Sequence, residues 1–323
     1  MTNISSPTPA MTVWVTGARG FIGRHAARVV ADQGHRVAGL GHGAWPDAGR
    51  AAAGLGAWLN GEISPSNLDS LAASHGAPDL VLHLAGGSAV GPSFAQPAED
   101  FRRSVMAAGD LAEWLRLRAP AARLVMASSA AVYGAGHAGQ INESAACRPF
   151  SPYGFHKRMA ELVLESYARS FGLRAAIVRF FSVYGPGLRK QLLWDVCSRL
   201  AAQPDHLALG GQGTELRDWL HAADAARLLL AAAGAATADC PVINGGTGIA
   251  TPIRAVAAAL CDGWHRPALP LQFSGLARAG DPASLVADGH AARALGWQPQ
   301  VAWRQGMADY VAWYRAQAQG PVA

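Results

Sequence analysis

Charged side chains are scarce in this chain, at 15% of its 323 residues. Lysine is nearly absent, and almost all of the basic residues are arginine. The 27 Lys+Arg against 22 Asp+Glu leave a formal net charge of +5, yet no run of four basic residues occurs. A nucleic-acid binder gathers its cations in a stripe or patch. That class is therefore set aside, and a mildly basic pocket for an anionic small molecule fits the balance better. Cysteine is rare as well. Cys147, Cys197, Cys240 and Cys261 form no Cys-x-x-Cys pair, and no histidine stands near them at zinc-ligand spacing. Free thiols, no metal and a reducing, cytoplasmic setting are expected.

Long apolar runs are missing too. The most apolar window, 225–242, is interrupted by Arg227 and Asp239 and is rich in Ala and Gly. A buried helix and a following strand are expected there, not a membrane span. The first ten residues carry neither a basic head nor an apolar stretch, so no signal peptide is expected. Hydrophobic residues are abundant, at 50%. That suffices for a sizeable core and argues against disorder.

β-branched runs at 11–16, 36–40, 57–60, 79–85, 123–128 and 174–180 alternate with helical patterns at 21–33, 97–118 and 152–171. Such alternation predicts an α/β fold, a doubly wound parallel sheet of Rossmann type with right-handed crossovers. The pattern changes after Gly185-Pro186-Gly187. Residues 11–185 are expected to form the dinucleotide-binding domain, joined by a strand near 240–246. Residues 186–323 mostly form a smaller C-terminal substrate-binding domain.

Gly17, Gly20 and Gly23 follow the first strand and open a helix, in the order TGARGFIG. Glycine permits a tight turn and close approach of a pyrophosphate. The free N–H groups and the dipole of the helix start then hold the negative charge. An NAD site commonly ends its second strand with a carboxylate for the ribose hydroxyls. Here that stretch is Gly39-Leu40-Gly41-His42-Gly43, without an acid, and Arg19 stands in the turn. A guanidinium without a neighbouring acid tolerates a 2′-phosphate. The cofactor is expected to be NAD or NADP, undecided between them.

Tyr153 and Lys157 are spaced i, i+4, on one face of the helix at 152–171. A phenol titrating near pH 10 is a poor base at neutrality, and a neighbouring ammonium is expected to lower that value. Ser129, at the end of the fifth strand, is placed to steady a substrate oxygen while Tyr153 moves its proton. Strand C-termini in such a sheet share the edge where ligands bind.

Further landmarks are HLAGGSAV from His83, SSAAVYG from Ser128, SPYGFHK from Ser151, VRFFSVYGPG from Val178, LRDWLHAADAA from Leu216 and RAGDP from Arg278. With the glycine turn and the Tyr-Lys pair, the chain resembles the extended short-chain dehydrogenase/reductases, the NAD-dependent epimerase/dehydratase family of sugar-nucleotide enzymes. The resemblance runs from Thr16 to Tyr314. It implies that Ser129, Tyr153 and Lys157 are catalytic. It also implies that Gly17, Arg19, Gly20, Phe21, Ile22, Gly23, His42, Leu84, Ala85 and Gly86 line the cofactor with Tyr153 and Lys157. The implied substrate contacts are Ser88, Ser129, Ser182, Arg217, Arg278 and Asp281, the arginines gripping a nucleotide diphosphate.

Two departures narrow the chemistry. The family's 4,6-dehydratases carry an Asp-Glu pair directly after the catalytic hydroxyl, where this chain has Ala130 and Ala131. Alanine has no proton to move. The helix asparagine common in the family is Ser104, and another before V-Y-G-P is Ser182. The expected activity is an NAD(P)-dependent sugar-nucleotide 4-epimerase, oxidising C4 transiently to a ketone and reducing it again. The alternative is an NADPH-dependent 4-ketoreductase of an NDP-4-keto-6-deoxy sugar. A nucleotide sugar is the expected partner, without nucleic acid or membrane. A homodimer through the helices at 97–118 and 152–171 is a further expectation.

Overall fold

The computed structural model describes residues 9–276 and 282–319. Seven strands form one parallel sheet. They are β1 (Thr12–Thr16), β2 (Arg36–Gly41), β3 (Ala57–Asn60), β4 (Leu80–His83), β5 (Arg123–Ser129), β6 (Arg174–Phe180) and β7 (Val242–Gly245). Their order across the sheet is β7-β6-β5-β4-β1-β2-β3. Strand order reverses between β1 and β4, so the crevice at their C-terminal ends is the switch point where doubly wound folds take ligands. β1 and β4 are buried along their whole length. That explains their unbroken apolar runs, because helices cover both faces of a parallel sheet.

The longer helices are α1 (Phe21–Asp32), α2 (Pro65–His75), α3 (Ala107–Arg118), α4 (Pro152–Phe171), α5 (Gln191–Ala201), α6 (Ala222–Ala232), α7 (Ile253–Gly263) and α8 (Trp303–Gln319). One apolar cluster joins Val13, Val15 and Leu82 to Ala26 and Val30 of α1 and to Leu228 and Leu229 of α6. The other joins Trp14 and Leu124 to Leu71 of α2, Leu111 and Leu115 of α3 and Leu164 of α4. Alternate residues of β1 thus serve opposite faces, as a pleated strand requires. Each such buried Leu or Val contributes roughly 1.5–3 kcal/mol of transfer free energy. A third cluster gathers Leu193, Val196 and Leu200 of α5 with Val256 and Leu260 of α7 and Tyr310 of α8.

The helix expected over 97–118 is divided. A helical turn at Pro97–Phe101 passes into a π-helical stretch, Arg102–Met106, before α3 begins. The wider turn changes which side chains face inward, as π segments do at functional sites. Ser104 lies in it, and its Oγ accepts from the Gly87 N–H at 2.9 Å. The helix and strand expected in the apolar window appear as α6 and β7, and no helix among the described residues is long and apolar enough to cross a membrane.

Candidate active site

A single cleft of about 1530 Å³ runs along the C-terminal edge of the sheet. It starts at the glycine turn. Gly17 has φ +69, and a Cβ there would lie 2.9 Å from the Ala85 nitrogen. A Cβ on Gly23 would collide with the Gly17 carbonyl. Glycine at these positions lets the loop after β4 and the start of α1 close on each other. The first N–H groups of α1 have no intrahelical acceptor and suit phosphate oxygens.

Arg19, Gly20, Phe21, Ile22 and His42 line this part of the cleft, as do Leu84, Ala85 and Gly86. The Arg19 guanidinium lies against Gly43, just past the end of β2. Glu62 and Ile63, just past β3, line the same end and were not anticipated from sequence. A glycine cradle that any side chain would fill, with a cation and no acid at the end of β2, fits NAD or NADP. Thr16 ties the cradle together. Its Oγ1 stands 2.8 Å from His83 Nδ1 and accepts from the N–H groups of Leu84 and Ala85 at 3.2 and 3.3 Å. His83 is fully buried, and that burial, with the Lys157 charge, holds its pKa down to about 3. It is a neutral structural imidazole.

The trio Ser129, Tyr153 and Lys157 lines the middle of the cleft. Ser129 is the last residue of β5, and its Oγ accepts from the Ala131 N–H at 3.2 Å. α4 begins with Ser151 as N-cap, its hydroxyl accepting from the Gly154 N–H, and with proline at the first helical position. The Tyr153 N–H donates to Ser93 Oγ at 3.0 Å, fixing the first turn from outside the helix. Lys157 Nζ donates to the Ala127 carbonyl at 3.2 Å. It stands 5.9 Å from the centre of the Tyr153 ring.

The electrostatics differ from the simple expectation. Burial raises the Tyr153 phenol above its ordinary value, a Ser129 hydrogen bond pulls it down, and the Asp100 carboxylate adds to the rise. Burial also lowers the Lys157 ammonium to about 8, against the attraction of Asp100 and Glu161. In the chain alone, desolvation outweighs the nearby ammonium.

Asp100 and His156 received no role from the sequence. His156 Nδ1 stands 2.6 Å from Asp100 Oδ2, and the two side chains are 12% and 8% exposed. The carboxylate packs so closely on Gly87 that a Cβ there would collide with it. The pair thus links α4 to the loop after β4. Removing a negative charge makes both a phenol and an ammonium lose protons more easily. Asp100→Asn is therefore expected to move the alkaline limb of the pH–activity profile, set by Lys157, to lower pH by about one unit. An unmoved alkaline limb in initial-rate measurements from pH 5 to 10 would show that this carboxylate does not govern Lys157.

On the facing side, Ser182 and Arg217 line the cleft. Arg217 Nη1 donates to the carbonyls of Leu216 and Pro282 at 2.9 and 2.7 Å. Neighbouring Asp218 turns away, accepting from the N–H groups of Thr247, Gly248 and Ala287. Lys190 Nζ bridges to Ser88 from this side. Trp194 packs on Tyr314, with ring centres 4.8 Å apart. Arg278 and Asp281 lie outside the described residues. No group of three or more His, Cys, Asp or Glu suited to a metal occurs among the described residues.

Residues 13–244 match the NAD dependent epimerase/dehydratase family. The chain belongs to that family. A UDP-glucose 4-epimerase of Azospirillum brasilense is 30% identical, over 93% of this chain and 90% of that protein. Another of Mycolicibacterium smegmatis is 31% identical, over 96% and 100%. MoeE5, solved in complex with UDP-glucuronic acid and NAD, is 32% identical with a TM-score of 0.82, covering 95% of this chain and 99% of that one. DesIV from Streptomyces venezuelae, a dTDP-glucose 4,6-dehydratase with NAD and TYD bound, is 27% identical with a TM-score of 0.82, covering 95% and 97%. Ala130 and Ala131 line the cleft directly after Ser129.

Proposed function

We propose that the chain is an NAD(P)-dependent sugar-nucleotide 4-epimerase in which Ser129, Tyr153 and Lys157 act on the C4 hydroxyl. The carrying observation is one continuous cleft that holds the glycine cradle, the trio and, after Ser129, two alanines in place of proton-bearing side chains. Relatives named UDP-glucose 4-epimerase support a UDP-hexose substrate. Residues after 185 would form the substrate side, with Arg217 and Ser182 facing the nucleotide and sugar.

When bound, the dinucleotide supplies reversible oxidation of a carbinol carbon. The chain's residues supply the rest. Tyr153, as phenolate, accepts the C4 hydroxyl proton and later returns it from the same oxygen. The Ser129 hydroxyl has one proton, which it donates to the phenolate, favouring its ionised form, and turns to the sugar oxygen once Tyr153 has taken the C4 proton. Lys157, held by the Ala127 carbonyl, keeps a positive charge beside the phenol up to about pH 8. Neither Ala130 nor Ala131 can protonate a leaving hydroxyl or remove a C5 proton, so the ketone formed at C4 meets no dehydration catalyst there.

The absence of an acid at the end of β2 and the position of Arg19 favour a second reading, an NADPH-dependent 4-ketoreductase. One experiment separates them. Purified protein is incubated with UDP-glucose or UDP-galactose, without added nicotinamide, and the products are resolved by chromatography. Interconversion in both directions is the expected result. Turnover only of a 4-keto sugar, with one NADPH consumed per product, would replace epimerase by reductase.

A homodimer is part of the same reading. Phe155, Met159 and Leu162 of α4 are 49%, 42% and 48% exposed, and Met106, just before α3, is 52% exposed. An apolar face across two neighbouring helices suits burial against a second copy. Buried, unpaired Cys197, Cys240 and Cys261 suit a reducing cytoplasm.

A further inference from the structure

The chain has only two lysines, Lys157 and Lys190. Both line the cleft. Lys157 belongs to the trio. Lys190 directly precedes α5, and its side chain crosses to the loop after β4. There Nζ donates to the Ser88 carbonyl at 2.8 Å and to Ser88 Oγ at 3.0 Å. Both partners are neutral. Among the described residues no carboxylate lies within ion-pair distance of this half-buried ammonium, and burial lowers its pKa. Neighbouring cations are arranged differently. Arg102 and Arg103 share Glu99, and Arg199 pairs with Asp195 at 2.9 Å. Arg189 turns outward to Gln317.

We propose that Lys190 and Ser88 form a subsite for a carboxylate on the hexose ring, so that the preferred substrate is a nucleotide-linked uronic acid. This rests on the epimerase reading and narrows its substrate. Position decides which anion is meant. Ser88 follows Gly86 by two residues, and a Cβ on Gly86 would lie 3.4 Å from Lys157 Nζ. The Lys190 ammonium is thus anchored to the loop that passes beside Lys157 in the cleft. Arg217 is held elsewhere, by the carbonyls of Leu216 and Pro282, and suits the diphosphate. A ring whose C4 hydroxyl reaches Tyr153 carries its C5 substituent on the adjacent carbon. A carboxylate there would meet Lys190 and the Ser88 hydroxyl, which accepts from Lys190 and keeps its own proton to donate. A half-desolvated cation with neutral partners gains more from an anion than from the hydroxymethyl group of a neutral hexose.

The test compares UDP-glucuronate with UDP-glucose, for conversion without added nicotinamide and for binding by calorimetry. Wild type, Lys190→Gln and Lys190→Arg are each measured. The wild type is expected to favour the uronate by about 10- to 100-fold in kcat/KM, the range of one charge-assisted hydrogen bond. Lys190→Gln should lose most of that preference, chiefly through KM, and Lys190→Arg should keep much of it. A wild-type preference for the neutral hexose would overturn the proposal. So would equal losses on both substrates in Lys190→Gln, which would assign the ammonium to the diphosphate. If neither sugar is converted, the epimerase reading fails, and the binding ratios still decide the role of Lys190.

Discussion

Replacing Tyr153 by phenylalanine is expected to lower kcat by about 10³-fold or more, while the dinucleotide remains bound. The change removes only the phenolic oxygen, which carries the proton in the proposed reaction. General acid–base transfer contributes about 10²–10⁴-fold, and loss of the phenol also removes the partner of Ser129. The ring, its packing and its N–H bond to Ser93 Oγ stay in place. Turnover is read by chromatography, and cofactor content by the absorbance of the denatured supernatant. Loss of cofactor together with loss of activity would move Tyr153 from proton transfer to binding. Retained activity would remove the trio from the mechanism.

The largest effect on stability is expected at Glu161. This carboxylate is fully buried on α4, where it accepts from Arg179 Nε and Nη2 at 2.9 and 2.7 Å and from Ser128 Oγ at 2.5 Å. Arg179 is itself 3% exposed and donates also to the Tyr133 hydroxyl at 3.1 Å, which in turn donates to Asn244 Oδ1 at 2.7 Å. The network therefore ties α4, β5, β6 and β7 together. Glu161→Ala leaves a buried guanidinium without its counter-ion, at a cost of about 3–5 kcal/mol. Urea unfolding should show the loss as a lower midpoint. The double change Glu161→Met with Arg179→Met should recover part of it, because a well-packed apolar pair carries no desolvation penalty. A single variant within 1 kcal/mol of wild type would mean that water reaches the guanidinium.

Much of this arrangement could be read from the chain because its signals are local. The turn Gly17-x-x-Gly20-x-x-Gly23 declares itself within seven residues, and Tyr153 and Lys157 within five. The six strands expected from β-branched runs, with the segment near 240–246, correspond to the seven of the sheet. What escaped is long-range. Asp100 meets His156 across 56 positions, Ser93 meets Tyr153 across 60, and Lys190 meets Ser88 across 102. None of these pairs has a spacing that periodicity can detect. The π-helical stretch escaped because its composition suits an ordinary helix, and tertiary contact selects the wider turn. The acidity of the phenol escaped because it depends on desolvation, which neighbours in sequence do not report.

The last two residues of β5 have divided duties. Ser128 Oγ reaches Glu161 inside the protein, and Ser129 lines the cleft. Adjacent strand residues point to opposite sides, so displacing this segment by one position would leave a serine at one of the two places and bring an alanine, Ala127 or Ala130, into the other. The composition of the segment would not change. An insertion or deletion upstream in β5 should therefore be tolerated far less than the ordinary chemistry of a serine-serine pair suggests, since it would cost either the anchor of Glu161 or the hydroxyl that Ser129 presents to the cleft.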